Sequence, residues 1–313
     1  MNLKRLEFVV TYRCNSHCKH CQVAESRRHL HPQAIDAQLA AAIVRSIARE
    51  HPLKSVMTFG GEPLLYMDAV CAIHQAAMDC GIPARQIITN AGFPRIKLLA
   101  ERVARRLAAS GVNDVCISVD AFHQKFIPLD VVEHNVCAYL AAGITELAWN
   151  PCWVVAPEAD NPYDQRTRSI LQELSHLPVR AGTGNLLQPA GYAQKNFKTY
   201  FPPKQLIPQG SCEDMPYTGR LDEIDSISIA PDGGVDVCSD WMIGNARETD
   251  ILDILRAYEP GAIPEASAIL TGGMAALVEL ARSRGVETDA QGYWSICAMC
   301  VDLRYKLHSL AER

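Results

Sequence analysis

The chain has 313 residues, of which 48% are apolar, and a formal net charge of −5. That length is enough for a large barrel plus a smaller domain, and so small a charge gives no reason to expect nucleic-acid binding. No apolar run is long enough to span a membrane and the first residues lack the apolar segment of a signal peptide, so we expect a cytoplasmic protein with no membrane partner.

Apolar strands alternate with helices through about the first 190 residues. Strands are predicted at 6–11, 55–59, 86–89, 114–119, 145–155 and 179–187, and helices at 36–50, 67–80, 96–109, 130–142 and 165–176. This rhythm predicts right-handed βαβ units and a parallel α/β sheet. About six repeats are too few for a closed eight-fold barrel, and the pattern alone fits a six-unit open barrel or a doubly wound sheet. Either way, ligands are expected at the carboxyl ends of the strands.

The first strand leads directly into a cluster of thiols. Twelve cysteines in a reducing compartment indicate metal ligation rather than disulfides. Cys14, Cys18 and Cys21 form a C-x3-C-x2-C run that can hold three corners of a [4Fe–4S] cube. If no fourth Cys completes the group, one iron is open to a small molecule that binds through an amine and a carboxylate. A zinc loop is the alternative, because His17 and His20 are zinc ligands by residue type.

The second strand leads into Gly60, Gly61, Glu62 and Pro63. Two glycines let the backbone approach a ligand without interference from a Cβ atom. The Glu62 carboxylate could accept a hydrogen bond from an ammonium group, and Pro63 stiffens the turn.

These two motifs together resemble the radical S-adenosylmethionine (SAM) superfamily, with the segment 60–63 about forty residues behind the cysteine run. The resemblance implies a partial (βα)6 TIM-like barrel whose cluster chelates the methionine part of SAM. It also implies that 60–63 contacts the SAM amino group. In that family the residue before the last Cys is usually aromatic and packs near the adenine, whereas here it is His20.

Polar residues end the third and fourth strands. Thr89 and Asn90 form an ordinary Asn turn by pattern, and the resemblance implies that they border the SAM pocket. Period-two alternation puts Cys116, Ser118 and Asp120 on one face of the fourth strand, which is therefore predicted to line a cavity. The resemblance implies that Ser118 and Asp120 lie near the ribose and carboxylate of SAM.

Three side chains are candidate catalytic groups, namely Asp120, His123 and Cys152. His123 begins the loop after the fourth strand and has a pKa suited to proton transfer, although such a residue could equally only order the loop. Cys152 on the fifth strand could donate a hydrogen atom to a substrate radical, or could fill space as a buried thiol.

A proline-rich stretch at 201–210 interrupts the alternation, so we predict domains at 1–200 and 201–313. The second is expected to be a small α+β domain with a hairpin near 227–237, a short helix near 251–255, a helix at 264–284 and a C-terminal helix from 303. It contains four thiols, enough for one complete cluster: Cys212, Cys238, Cys297 and Cys300.

The hairpin and the late C-x2-C pair resemble the auxiliary-cluster domains of the radical SAM superfamily. Four cysteines suit the shorter "twitch" type better than a full SPASM domain, and the resemblance implies a second, auxiliary [4Fe–4S] cluster. A zinc ion held by the same four cysteines is the alternative. The segment 189–193 resembles the Pro-x-Gly-Arg-Ala segment of such relatives, with Tyr192 in place of the Arg.

The resemblance implies a radical SAM enzyme. An electron donor such as flavodoxin or ferredoxin would reduce the first cluster, and SAM would be cleaved to methionine and a 5′-deoxyadenosyl radical that abstracts hydrogen from an unactivated C–H. The auxiliary cluster would assist oxidation or epimerisation. The substrate is either a small polar metabolite, such as an amino sugar or cyclitol, or a ribosomal peptide that is oxidised, cross-linked or epimerised. The alternative of another class is an electron carrier or a zinc-stabilised binding protein without SAM chemistry.

Overall fold

A computed structural model describes residues 1–23, 25–215, 218–238 and 241–311. The chain divides into two compact units. One consists of Lys4–Tyr200 with Ile229–Gly234, and the other of Met1–Leu3, Phe201–Ser228 and Val235–Arg313. Within the described ranges, the helices are all too short or too polar to cross a membrane.

The first unit alternates strands and helices. Its strands are β1 (Arg5–Thr11), β2 (Ser55–Gly60), β3 (Ala84–Thr89), β4 (Asp114–Ile117), β5 (Glu146–Trp149), β6 (Cys152–Trp153), β7 (Arg180–Ala181) and β8 (Asn185–Leu186). Its helices are α1 (Glu25–Arg28), α2 (Ala37–Glu50), α3 (Met67–Asp79), α4 (Lys97–Ala109), α5 (Leu129–Ala141), α6 (Pro162–Glu173) and α7 (Gly191–Asn196).

The parallel strands neighbour one another in the order β1-β2-β3-β4-β5-β7, and β6 pairs in parallel with β8. This order follows the sequence without the reversal that defines a doubly wound sheet, so the predicted partial (βα)6 barrel is confirmed. The fifth and sixth strands are each interrupted. In the fifth, Pro151 separates β5 from β6, because proline has no N–H to continue the ladder.

Burial alternates along the strands. On β1, Leu6, Phe8 and Val10 are fully buried, while Arg5 and Glu7 on the opposite face are half-buried. Strands of a parallel sheet covered on both sides would be apolar on both faces. The half-buried face is therefore the inner face of the open barrel, where polar side chains reach the carboxyl edge.

The chain continues with strands β9 (Ser226–Ile229), β10 (Gly234–Asp236) and β11 (Met242–Asn245), and helices α8 (Ile251–Ala257), α9 (Pro264–Ser283) and α10 (Ile296–Ala311). All of these residues except Ile229 and Gly234 belong to the second unit. The hairpin between β9 and β10 turns at Gly233, which has a φ of 91°. Helix α9 is broken at Gly272 and Gly273, where the backbone is not helical. Helix α10 begins seven residues before the predicted start at 303, and positions 312–313 of the predicted helix lie outside the described residues.

The glycines that end β2 are packed against another backbone. A Cβ on Gly60 would lie 2.3 Å from the Thr11 carbonyl oxygen, and one on Gly61 would lie 2.0 Å from that of Arg13. The Gly61 N–H donates to the Thr11 oxygen at 2.6 Å. These glycines therefore allow the segment that leads to Cys14 to run directly along the end of β2.

Replacing Gly61 with alanine should displace this segment, because the added methyl group has no space beside the Arg13 carbonyl. We expect the free energy of unfolding to fall by about 1–3 kcal/mol, as for other overpacked sites. Urea unfolding monitored by circular dichroism measures this change. Gly261→Ala is the matched control, since its Cβ would meet nothing within 4 Å. Equal stability of the two variants would contradict the packing argument.

Candidate active site

The cysteine run lies on the loop after β1. Cys18 is buried, and Cys14 and Cys21 are half-buried. Burial raises the pKa of Cys14 to about 11, with the Glu62 carboxylate adding to it. Burial raises the pKa of Cys18 still further, and the charges of Asp120 and of the other two thiols raise it by smaller amounts. The three sulfurs thus interact electrostatically, and a bound cationic group is what would let all of them ionise together.

Three thiols can serve as ligands either of a zinc ion or of an iron–sulfur cluster. Among the described residues, His20, Asp120 and His123 also bring three ligand atoms within 4.8 Å of one another.

Glu62 connects the end of β2 to the end of β3. Its carboxylate is fully buried. Oε1 accepts hydrogen bonds from Leu64 N at 3.0 Å and Thr89 Oγ1 at 2.8 Å, and Oε2 accepts one from Asn90 N at 2.9 Å. Burial raises the pKa of Glu62 to about 7 in spite of these bonds.

Asn90 connects β3 to the cysteine run. Its Nδ2 donates to Asn15 Oδ1 at 2.8 Å and lies 3.6 Å from Cys14 Sγ. Its Oδ1 accepts from Gly92 N at 2.8 Å, which closes an Asn turn. The structure therefore brings together Cys14, Glu62, Thr89 and Asn90, which come from three separate loops.

Asp120 is a fully buried carboxylate with four donors. Oδ1 accepts from the backbone N–H groups of Phe122 and His123 at 2.9 and 3.0 Å. Oδ2 accepts from His123 Nδ1 at 2.9 Å and from Cys152 N at 3.0 Å. Burial alone would raise the pKa of Asp120, but the charge and hydrogen bonds of His123 hold it well below its usual range. Asp120 in turn raises the pKa of His123, although burial opposes this, so the two form an ion pair.

The His20 ring lies flat against Phe122, with centroids 4.5 Å apart and an interplanar angle of 26°. It meets His123 edge-on at 4.8 Å. Burial lowers the pKa of His20 to about 4, so its imidazole is neutral, and its buried Nδ1 has no hydrogen-bond partner among the described residues. Stacking and the ion pair account for the proximity of His20, Asp120 and His123 without a metal ion.

The aromatic packing continues beyond this group. Phe122 lies 5.3 Å, between ring centroids, from both Tyr163 on α6 and Phe197 just after α7. Sequence reasoning did not identify Tyr163 or Phe197, because neither lies in a motif and only the fold brings them to Phe122.

The other site residues predicted in the barrel, Ser118, Cys116 and Cys152, lie at separate points along the fourth and fifth strands. Ser118 follows β4 and is half-buried, with its backbone N–H donating to Thr89 O at 2.9 Å. Cys116 lies further down β4, where Gln86 Nε2 donates to its sulfur at 3.4 Å. Cys152, the candidate hydrogen-atom donor, is connected to Asp120 through its backbone N–H.

In the second unit, all four cysteines line one cavity: Cys212, Cys238, Cys297 and Cys300. Cys297 and Cys300 lie in the first turn of α10, where a spacing of three residues places them on the same face. Burial raises the pKa of Cys300 to about 12, and the Cys238 and Cys212 thiols add to the effect. The four cysteines therefore share one cavity.

Residues 8–142 match the family model described as "Radical SAM superfamily". Over these residues the chain is similar to a radical SAM domain. The match includes the cysteine run, the segment 60–63 and Asp120. A radical SAM domain implies a [4Fe–4S] cluster and SAM as cofactors, and the three thiols at the carboxyl edge of the barrel fit that cluster. The individual ligand and contact residues remain predictions.

Solved structures with a similar fold include a histidine-tagged form of "anSMEcpe with bound AdoMet", at a TM-score of 0.52 and 12% identity over 99% of this chain and 94% of that one. Another is "Native anSMEcpe with bound AdoMet and Cp18Cys peptide", with the same TM-score and identity over 99% of this chain and 98% of that one. At this identity the likeness shows the fold alone. No curated protein sequence matches the chain.

Replacing Glu62 with glutamine should change how stability depends on pH. The folded chain holds the Glu62 proton up to a pKa of about 7, whereas an unfolded Glu releases it near 4.3. Between these pH values the folded state binds more protons, so the free energy of unfolding of the wild type should fall as pH rises, by roughly 4 kcal/mol in total. Glu62→Gln should lack this component of the slope.

Urea unfolding of the metal-free chain at a series of pH values from 4 to 8 measures the difference between the two proteins. The exposed Glu146 provides the control, and Glu146→Gln should follow the wild-type profile. Parallel profiles for Glu62→Gln and the wild type would show that burial of the Glu62 carboxylate does not control this slope.

Proposed function

We propose that the chain is a radical SAM enzyme in which Cys14, Cys18 and Cys21 hold a [4Fe–4S] cluster with one iron free for SAM. When bound, the cluster and SAM supply the reductive cleavage that gives methionine and a 5′-deoxyadenosyl radical, which abstracts hydrogen from an unactivated C–H. The supporting observation is that three cysteines, whose thiols lie close enough to interact electrostatically, follow β1 in the part of the chain that matches the radical SAM family model. The electron would come from a flavodoxin or ferredoxin.

The loops around the thiols have the groups to bind SAM. A carboxylate offers about four lone pairs, and Glu62 Oε2 accepts a single bond in the described part of the chain. Oε2 can therefore also accept from the SAM ammonium, while Thr89 and Asn90 keep the carboxylate in place. The neutral ring of His20 offers a flat face to the adenine, the role that an aromatic residue has in the family.

Asp120 and His123 are proposed to have different roles. The four hydrogen bonds to Asp120 use all the lone pairs of its carboxylate, which leaves none for the SAM ribose. Asp120 is thus a positioning residue that keeps His123 charged. Because His123 is charged, it enters the reaction as a proton donor. Ser118, which is half-buried after β4, remains a candidate for the ribose contact.

The second unit is proposed to hold an auxiliary [4Fe–4S] cluster on Cys212, Cys238, Cys297 and Cys300, as a twitch-type domain over residues 201–313. This proposal is supported by the single cavity that the four cysteines line. Four thiolates would close the cluster, so its role would be electron transfer or structural support rather than binding of substrate.

The substrate is proposed to be a small polar metabolite that is oxidised or epimerised, with a ribosomal peptide as the second candidate. The inner face of the barrel carries neutral polar side chains near its carboxyl edge. Asn185 Nδ2 donates to Asn150 Oδ1 at 3.3 Å, and both residues are half-buried. Amide and hydroxyl groups of this kind suit a ligand rich in hydroxyl or amino groups.

Anaerobically reconstituted enzyme should produce 5′-deoxyadenosine when dithionite and SAM are added, because the reduced cluster cleaves SAM even without substrate. Product formation is measured by liquid chromatography. Cys14→Ala should produce none above background, since it removes one of the three cluster ligands. Equal product in the two proteins, or none in the wild type, would favour the electron carrier or zinc-stabilised protein instead.

Metal analysis tests the second cluster. Two cubes predict about eight irons per reconstituted chain, and Cys297→Ser combined with Cys300→Ser should lower this to about four. The double variant should keep the SAM-cleaving cluster, as its ligands lie in the other unit. About four irons and one zinc in the wild type would mean that the four thiols hold a structural zinc ion.

A further inference from the structure

A buried arginine lies against the cysteine run. Arg28 ends the short helix α1 and is 8% exposed. Its Nη1 donates to Ser16 O at 3.0 Å, and its Nη2 donates to Cys21 Sγ at 3.5 Å. A buried charge is costly unless it is paired, and a thiolate is the partner that would compensate this one.

Tyr192 holds the guanidinium in this position. The Arg28 guanidinium carbon lies 5.5 Å from the centroid of the Tyr192 ring, within cation–π distance. The Tyr192 N–H donates to Cys21 O at 2.8 Å. Gly191, at a φ of 53°, allows this contact, because a Cβ there would lie 2.3 Å from the Gln22 carbonyl oxygen. Arg28, Cys21 and Tyr192 therefore form one packed unit.

We propose that Arg28, clamped by Tyr192, is a positioning residue that stabilises the reduced state of the cluster held by Cys14, Cys18 and Cys21. The inference rests on the proposed function. One electron from an external donor enters the cluster and adds one unit of negative charge, and no bond is made or broken. A guanidinium that donates to a ligand sulfur favours the more negative state, and so it raises the reduction potential.

The neighbouring Arg27 provides a matched control. Its guanidinium carbon also lies 5.5 Å from a tyrosine ring, that of Tyr12, and its Nη1 donates to Tyr12 Oη at 3.3 Å. Arg27 is exposed, however, so solvent screens its charge. Replacing either arginine removes one positive charge close to the cysteine run, but only Arg28 is buried against Cys21.

A redox titration followed by electron paramagnetic resonance tests the proposal in the full reconstituted chain. The first cluster is identified as the one whose signal changes when SAM is added, and its potential is measured without SAM. At a fixed solution potential, Arg28→Met should show about tenfold less reduced relative to oxidised cluster, which is ~59 mV for a one-electron couple. Arg28→Lys should give a smaller shift, and Arg27→Met less than a twofold change.

An unchanged potential in Arg28→Met, with its iron retained, would overturn the proposal, as would an equal shift in Arg27→Met. If Arg28→Met does not retain iron, Tyr192→Leu decides, because it keeps the arginine but removes the ring that holds it. A shift to lower potential in Tyr192→Leu supports the proposal, and an unchanged potential overturns it. If the wild-type enzyme cleaves SAM but the reduction potential of its first cluster is the same in the Arg28 and Tyr192 variants, this inference alone is overturned. Wild-type enzyme without a cluster would overturn the proposed function as well.

Discussion

The carboxylate of Glu62 holds the site together, because it bonds two neighbouring loops of the barrel at once. It caps the turn after β2 through Leu64 N and holds the end of β3 through Thr89 and Asn90. Asn90 then extends the connection to Cys14. The glycines before Glu62 bring the segment 11–13 alongside, so the position of the cysteine run depends on backbone contacts as well as on side chains. A loop held in this way is preorganised for its ligand, as a precise site requires.

The charge of the ionisable groups at the carboxyl edge of the barrel depends on their burial and on their neighbours. Burial raises the pKa of Cys14 and Cys18, so the metal-free thiols are neutral at pH 7. Ionising them requires nearby positive charge, which Arg28 supplies in part and a bound cluster would complete. Asp120 and His123 neutralise each other beside them.

The sequence was sufficient to predict the alternation of strands and helices, because short apolar strands and capped helices are local features. The choice of a partial barrel over a doubly wound sheet came from the family resemblance. Asp36, for example, accepts from Leu39 N and begins α2 where the pattern predicts it. The start of α10 was missed, although Ser295 is a recognisable cap whose Oγ accepts from Ala298 N. The four-bond environment of Asp120 and the clamp on Arg28 could not be predicted, since their partners lie on distant segments that only the fold brings together.

His123, the proposed proton donor, and Cys152, the predicted hydrogen-atom donor, both bond to the same carboxylate oxygen. Asp120 Oδ2 accepts from both His123 Nδ1 and Cys152 N. Burial raises the pKa of the Cys152 thiol, and the charges of Asp120 and Asp164 raise it by smaller amounts. The hydrogen of this thiol therefore stays on the sulfur. That state is suited to donating a hydrogen atom and unsuited to nucleophilic attack, which needs the thiolate. The same oxygen keeps His123 charged. Proton transfer can therefore be assigned to His123 and hydrogen-atom transfer to Cys152, and the buried Asp120 carboxylate positions both residues.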